Sequence, residues 1–572
     1  MRVNRRRELT TLALALVLVT LPIASTLAEE RKLPRLILQI TVDALRGDLL
    51  ERYYDRLGKG GLRYLLDAGT VYTNAHHRHA NTETIVGHTT LATGADPSVH
   101  GMVGNVWLDR ASNELKYNVE DERYPILSKG AGVDKKTEID YTQKTARSDG
   151  RSPSAILVST FSDELTLSLG GKSKVFGVSV KDRGAISMAG HTGKAFWFSK
   201  SSGEFITSSF YYDQYPLWVT EWNAQKPASN YSGKSWQLLR DQSSYLFGAA
   251  DDRPYETALP GFGRTFPHPF GALGDKYFTT LLTISPAGDE LTLDFATTLI
   301  RNEGLGRDAT PDYLAVSFSS TDYVAHIFGP SSLESEDNIL RLDRTLAELL
   351  GFVDSQVGLD KTLIVLSADH GGPEAPGYLN ELGFEADYID PKVFDKAGAI
   401  KRLKERFGIG EALITTYFHP YVYLNRKAIA EKGLDQAEVE RAVADELARI
   451  DGVALAVSSS ALRVGRVPDT PLIRSILRNY HPNRSGDIYV VFEPNRFIND
   501  FDGLMVATTH GSPWRYDTYV PIIFAGMGIP ARRINRKVAT VDIAPTLSLL
   551  VGAKPPTGSF GAPLYEVMQW DQ

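Results

Sequence analysis

The chain has 572 residues, 42% of them apolar and 23% charged, with a formal net charge of −7 and no cysteine. That is an ordinary globular composition, long enough for a large buried core. The missing thiols exclude disulfides and thiolate metal sites, and no basic run is long enough to make a nucleic-acid surface.

The first element in chain order is an export signal. Arg2, Arg5, Arg6 and Arg7 precede an apolar stretch from Leu12 to Ile23, followed by small residues to Ala28. This layout predicts a secretory signal peptide, residues 1–28, cleaved after Ala28. The apolar stretch is short for a membrane span, so an uncleaved anchor is the weaker reading. Three consecutive arginines leave a twin-arginine route open, although the flanks fit it poorly. Cleavage removes four Arg and one Glu and leaves −10 on the mature chain. The expectation is a bacterial periplasmic or secreted protein with no stable membrane anchor.

Apolar, β-branched runs at 36–42, 174–180, 313–318, 362–367 and 520–525 read as buried strands. Helical patterns such as 338–352 and 543–550 alternate with them. Such alternation predicts an α/β fold with a mostly parallel central sheet covered by helices. Asp43, Lys181, Asp322 and Asp369 fall just beyond strand ends, the edge where open α/β sheets bind ligands. Segments at about 106–165, 195–285 and 385–500 are less regular and read as insertions forming a cap over that edge. The last of them contains helical patterns at 392–407 and 436–450.

The chemistry is carried by acidic–histidine signatures. Asp322-Tyr323-Val324-Ala325-His326 places a carboxylate and an imidazole four residues apart, on one helix face. Asp369-His370 follows a strand and precedes Gly371-Gly372, Asp43 follows the first strand, and His510 lies in Thr509-His510-Gly511. Taken singly, an exposed polar face explains each of these well enough. Together they form a mixed carboxylate and imidazole set that suits zinc in a two-metal hydrolase. Thr82-Glu83-Thr84-Ile85-Val86-Gly87-His88-Thr89-Thr90 reads as a loop entering a helix. Its hydroxyls stand where the helix dipole favours negative charge, either as an N-cap or as an activated nucleophile.

Other motifs read as structural. Ala75-His76-His77-Arg78-His79 resembles a metal tract, but the ligand set is complete without it. His88 and His100 read as packing positions, and His191, close behind Arg183, is a lesser candidate for orienting the pocket. Arg46-Gly47-Asp48 begins a helix. Gly58-Lys59-Gly60-Gly61 lacks P-loop spacing. The aromatics at 210–222 read as core, with a substrate mouth as the alternative.

The order Asp43, Thr84, Asp322-x-x-x-His326, Asp369-His370, His510 resembles the alkaline phosphatase superfamily. Within it the match is to the bacterial threonine-nucleophile branch, the PafA-type alkaline phosphatases, on the type I phosphodiesterase-like side. Thr41-Val42-Asp43-Ala44-Leu45-Arg46, His100-Gly101 with Asn105, Val180-Lys181-Asp182-Arg183 and Asp542-Ile543-Ala544-Pro545-Thr546-Leu547 support it. The resemblance spans roughly 35–560 and implies an alkaline-phosphatase-like core, with residues 29–572 as one catalytic domain carrying the cap insertions.

It further implies two Zn2+ per chain. Asp43, Asp369 and His370 would hold one, with the oxygen of Thr84; Asp322, His326 and His510 would hold the other. Thr84, set three residues before Gly87-His88, would be the nucleophile, and Asn105, Lys181 and Arg183 would grip the phosphoryl oxygens. Lys181 stands where some relatives place a third metal, so magnesium is not required. Two zincs, three carboxylates, a Thr84 alkoxide, Lys181 and Arg183 total +2, matching a monoester dianion. The expected partners are small-molecule phosphate esters, and a monomer is favoured. A phosphodiesterase or nucleotide pyrophosphatase is the first alternative; a non-catalytic exported zinc-binding protein is the second. Sulfatase chemistry in its common form needs Cys or Ser where Thr84 stands.

Overall fold

Leu36–Val42 and Asp312–Phe318 are each seven residues long and buried throughout, so neither strand offers a face to water. Such strands must lie inside a sheet covered on both sides. The structure, a computed structural model, describes residues 32–568; the export signal at 1–28 lies outside the described residues. The central sheet comprises β1 (Leu36–Val42), β2 (Thr70–His76), β3 (Val175–Ser179), β4 (Lys194–Ser199), β5 (Glu204–Ile206), β6 (Asp312–Phe318), β7 (Thr362–Ser367), β8 (Tyr519–Gly526), β9 (Arg532–Ile534) and β10 (Val538–Ala539). Their order is β9-β2-β8-β7-β1-β6-β3-β4-β5, with β10 also paired to β2. The block β7-β1-β6-β3-β4 is parallel. On one side β8 runs antiparallel to both β7 and β2; on the other β5 closes antiparallel on β4.

Helices cover both faces. Those used below are α1 (Thr84–Thr93), α2 (Asp182–Ala189), α3 (Pro286–Glu303), α4 (Ser320–Phe328), α5 (Leu333–Gln356) and α6 (Ile543–Val551). Leu36, Leu38 and Ile40 of β1 join a core with Phe295 of α3 and Leu346 of α5. Ile37, between them, faces the other way, into a core with Leu91 of α1 and Leu547 of α6. The two-residue period of the strand therefore divides its side chains between two helical layers. Each buried Leu or Ile stabilises the fold by about 1.5–3 kcal/mol relative to exposure.

The register sets the functional edge. Thr41 lies opposite Ser317 on one side and Ser367 on the other, and Ser317 lies opposite Ser179. Four parallel strands thus end level, and the residues that follow them emerge side by side.

The expected fold class holds: an α/β fold with a mostly parallel central sheet and helices on both faces. Three local expectations are corrected. The pattern at 338–352 is the middle of the 24-residue helix α5, which Ser332 starts by accepting from Ser335 N. The pattern at 392–407 is two helices, Lys392–Lys396 and Gly398–Phe407. Residues 194–206, read above as part of an insertion, supply β4 and β5 of the central sheet. Residues 385–500 form a separate four-stranded antiparallel sheet, in the order Ile414–Phe418, Tyr421–Leu424, Ile488–Phe492, Val453–Ser458. Ile400, Phe407, Val443 and Leu447 of two helices cover one of its faces. Tyr421, Tyr489 and Val491 on the other pack against Met102, Val103 and Val106. Among the described residues no helix is long and apolar enough to cross a membrane.

Candidate metal centre

Asp43 is the first residue past β1, and its N–H still donates to Phe318 O at 2.9 Å. The next residue, Ala44, takes a left-handed φ of 58°, and its N–H donates to Asp369 Oδ1 at 3.2 Å. This turn joins the ends of β1 and β7. Asp322 and His326 share a face of α4, with His326 Nε2 3.3 Å from Asp322 Oδ1. His510 arrives from the far end of the chain with Nε2 3.4 Å from the same oxygen. His370 Nε2 lies 3.3 Å from Asp43 Oδ1 and 3.4 Å from Asp369 Oδ2. Two cation-sized clusters result, Asp322–His326–His510 and Asp43–Asp322–His370, with Asp322 in reach of both.

The donor set fits metal ions by an observation independent of those distances. Each histidine turns Nδ1 to a backbone carbonyl at 2.8 Å: His326 to Thr508 O, His510 to Thr82 O, His370 to Gly371 O. That contact fixes the proton on Nδ1 and leaves the Nε2 lone pair for a ligand. Burial pushes the His370 imidazole down to about 3, so it stays neutral. Asp43 Oδ1 and His370 Nε2 are buried with no hydrogen-bond partner. Three buried carboxylates face one ammonium, Lys181, whose Nζ lies 2.7 Å from Asp43 and 2.5 Å from Asp322. Burial and the charge of Asp369 hold the Asp43 carboxyl well above the usual carboxylate range. Burial also opposes ionisation of Asp322, yet the Lys181 ammonium at 2.5 Å favours it. The pocket is short of positive charge, which bound cations would supply.

Thr84 is the first residue of α1. Glu83 is the N-cap position and makes no side-chain cap bond, so Thr84 is not spent on capping, which removes the bland reading of this hydroxyl. Gly87 brings the helix against the ligand loop, since a Cβ there would lie 1.8 Å from Asp369 O. Arg183 Nη2 donates to Thr84 Oγ1 at 3.3 Å. Asn105 Oδ1 accepts from Ile85 N at 3.1 Å, which leaves its amide nitrogen for the pocket. Thr84, Asn105, Lys181 and Arg183 all arrive at the sheet edge, and the last three line a cleft with Asp322, His326 and His510.

Several residues of the site carried no signal in the sequence. Asp140 Oδ2 accepts from Arg183 Nη1 at 2.7 Å, and both are buried. Glu83 Oε2 accepts from Asn105 N at 2.8 Å and ties the two loops together. The Tyr323 ring lies under Lys181 Nζ at 4.7 Å. His88, read as packing, does more: its Nδ1 stands 2.9 Å from Thr84 O and 3.1 Å from Asp369 Oδ2. His88→Ala is expected to weaken metal binding roughly 10–100-fold, as loss of a group supporting a ligand does. Equilibrium dialysis checks this, and unchanged affinity would remove His88 from that role.

The remaining candidates stay outside the site. His77 contacts Ala368 O and Thr540, and His76 contacts Asn74. His191 pairs with Asp163 at 2.8 Å and does not orient Arg183. Trp222 packs on Phe205 and Phe295 and donates to Asp294, which makes the aromatics at 210–222 core and not a substrate mouth. Arg46 is buried on Asp48 and Glu374.

The chain is similar to several known proteins. The family described as type I phosphodiesterase / nucleotide pyrophosphatase matches residues 37–513. A protein named calcium-transporting ATPase from Myroides odoratus is 34% identical over 546 residues, 95% of this chain and 96% of its own. Alkaline phosphatase PafA from Elizabethkingia meningoseptica is 34% identical over 546 residues, 94% of each chain. The crystal structure of wild-type alkaline phosphatase PafA superposes with a TM-score of 0.85 at 32% identity, over 94% of this chain and 99% of that one.

Proposed function

Because the chain belongs to the type I phosphodiesterase / nucleotide pyrophosphatase family and lies close to its PafA-type alkaline phosphatases, we propose that it is an exported two-zinc phosphomonoesterase working through a phosphothreonine. The observation that carries this reading is Thr84 Oγ1, free of capping at the amino end of α1 and 3.3 Å from Arg183, on a residue whose backbone carbonyl shares the His88 ring with Asp369. Asp43, Asp369 and His370 form one ligand set, with the Thr84 oxygen. Asp322, His326 and His510 form the other. Zinc ions bound there neutralise a phosphoryl group and its leaving oxygen and favour the ionised form of a nearby hydroxyl.

In the reaction Thr84 Oγ1 attacks phosphorus in line with the ester oxygen. The new Thr84 O–P bond forms as the bond to the leaving alkoxide breaks; the hydroxyl proton passes to solvent, and the alkoxide takes one back from water. A water molecule then cleaves the phosphothreonine from the side the alkoxide left, opposite Oγ1, releasing inorganic phosphate and restoring the hydroxyl. Arg183, Asn105 and Lys181 bind the non-bridging oxygens as charge redistributes over them. Lys181, whose Nζ lies 2.7 Å from Asp43 and 2.5 Å from Asp322, would join them if bound cations took over the charge of those carboxylates.

The preference for monoesters rests on the placement of donors more than on total charge. Asp140, buried against Arg183, lowers the formal total from +2 to +1. A diester still exposes Arg183 or Lys181 to an organic group. The test is kcat/KM for an aryl phosphate against a bis-aryl phosphate diester; a larger value for the diester would establish the phosphodiesterase reading, which the family description favours. Bound zinc with no hydrolysis of either ester would leave a binding protein. The arginine-led apolar segment at the amino terminus supports export to the periplasm or medium.

A further inference from the structure

In-line displacement sends the leaving alcohol away from Thr84, toward Asp322, His326 and His510. There a second cavity of about 530 Å3 adjoins the cleft, which itself encloses about 40 Å3. Tyr141, Phe501, Thr509 and His510 line both, so the two adjoin across these four residues. A phosphoryl group needs only the smaller space; the larger one has the size of a ligand pocket.

Its walls are aromatic. Phe501 packs edge-on against the candidate ligand His326 at 5.0 Å, and Tyr141 lies 4.5 Å from Phe501 and stacks on Phe418 at 5.6 Å. Phe492 and Phe497 continue the lining. Lys392 and Asp500 pair with each other at 3.3 Å, and Asp390, Asp502, Asp517 and Arg496 also line the cavity, an excess of acid that disfavours anionic occupants. Rings prefer stacked or edge contacts with other rings. A flexible acyl chain makes no such contact.

We propose that this cavity receives the leaving group, and that the enzyme favours phosphate monoesters of uncharged alcohols bearing a planar aromatic ring. The inference rests on the monoesterase reading above. The test compares ethyl phosphate with 2-(2-naphthyl)ethyl phosphate, two primary alkyl esters of similar leaving-group chemistry that differ in the ring. The naphthyl ester is expected to have a kcat/KM roughly tenfold higher or more. Phe418→Leu, which keeps bulk and loses the flat ring, should bring the ratio of the two values toward one; Phe497→Leu serves if the first variant does not fold. A wild-type ratio near one, with both esters hydrolysed, overturns the cavity's role and leaves the monoesterase reading standing. If neither ester is hydrolysed the monoesterase reading falls. Calorimetry with 2-(2-naphthyl)ethanol then decides the cavity: binding weakened by Phe418→Leu supports it, and no binding to the wild type overturns it.

Discussion

Thr84→Ala is expected to lower turnover of phosphate monoesters by about ten-thousand-fold or more, with two zinc ions still bound. The size follows from the role: without Oγ1 nothing on the chain is placed to bond phosphorus, and only binding and charge stabilisation remain to assist water. Folding should hardly notice. The hydroxyl makes a single bond of 3.3 Å to Arg183 and caps no helix, so its loss costs about 1 kcal/mol. Metal content should hold because, on the proposed assignment, six carboxylate and imidazole groups outside Thr84 would form the two ligand sets. Stopped assays and elemental analysis on the same preparation check both halves. Turnover near the wild-type value would remove Thr84 from the chemistry.

Arg183→Ala is expected to cost monoesters about 100-fold in kcat/KM and diesters clearly less. A charge-assisted contact contributes about 1.5–3 kcal/mol, and 100-fold corresponds to about 2.7 kcal/mol, the contribution of one strong contact. A dianion loses more than a monoanion when a cation leaves. The substitution also strands Asp140, whose buried carboxylate is otherwise 2.7 Å from the guanidinium, at a cost of about 3 kcal/mol in stability. Arg183→Ala combined with Asp140→Asn separates the two effects, since it restores stability without restoring the cation. Equal losses on both ester classes would contradict the monoester argument.

How far these residues could be read beforehand depended on whether their signals are local. β1, β6 and β7 are largely apolar runs, so burial on both faces is legible in composition alone. Asp43, Asp322 and Asp369 fall within four residues of the ends of those runs, and His326 lies one helical turn from Asp322. Asp140 gave no such sign. It lies in a polar, turn-rich stretch and meets Arg183, 43 positions further on, only after the chain folds back. His88 looked like packing because its partner, Asp369, is distant in sequence. β4 and β5 were taken for insertion because the second is three residues long and their aromatics resemble those of the loops around them. The 530 Å3 cavity draws its walls from segments near 141, 418, 490 and 500, which no local pattern links.

The central claim is that two cations flank the hydroxyl of Thr84. X-ray diffraction from crystals of the zinc-loaded protein, collected on either side of the zinc absorption edge, tests it most directly. The account predicts two anomalous peaks, one among Asp322, His326 and His510, the other among Asp43, Asp369 and His370 with Thr84 Oγ1 against it. A single peak, or a pair to which Thr84 makes no approach, would contradict it.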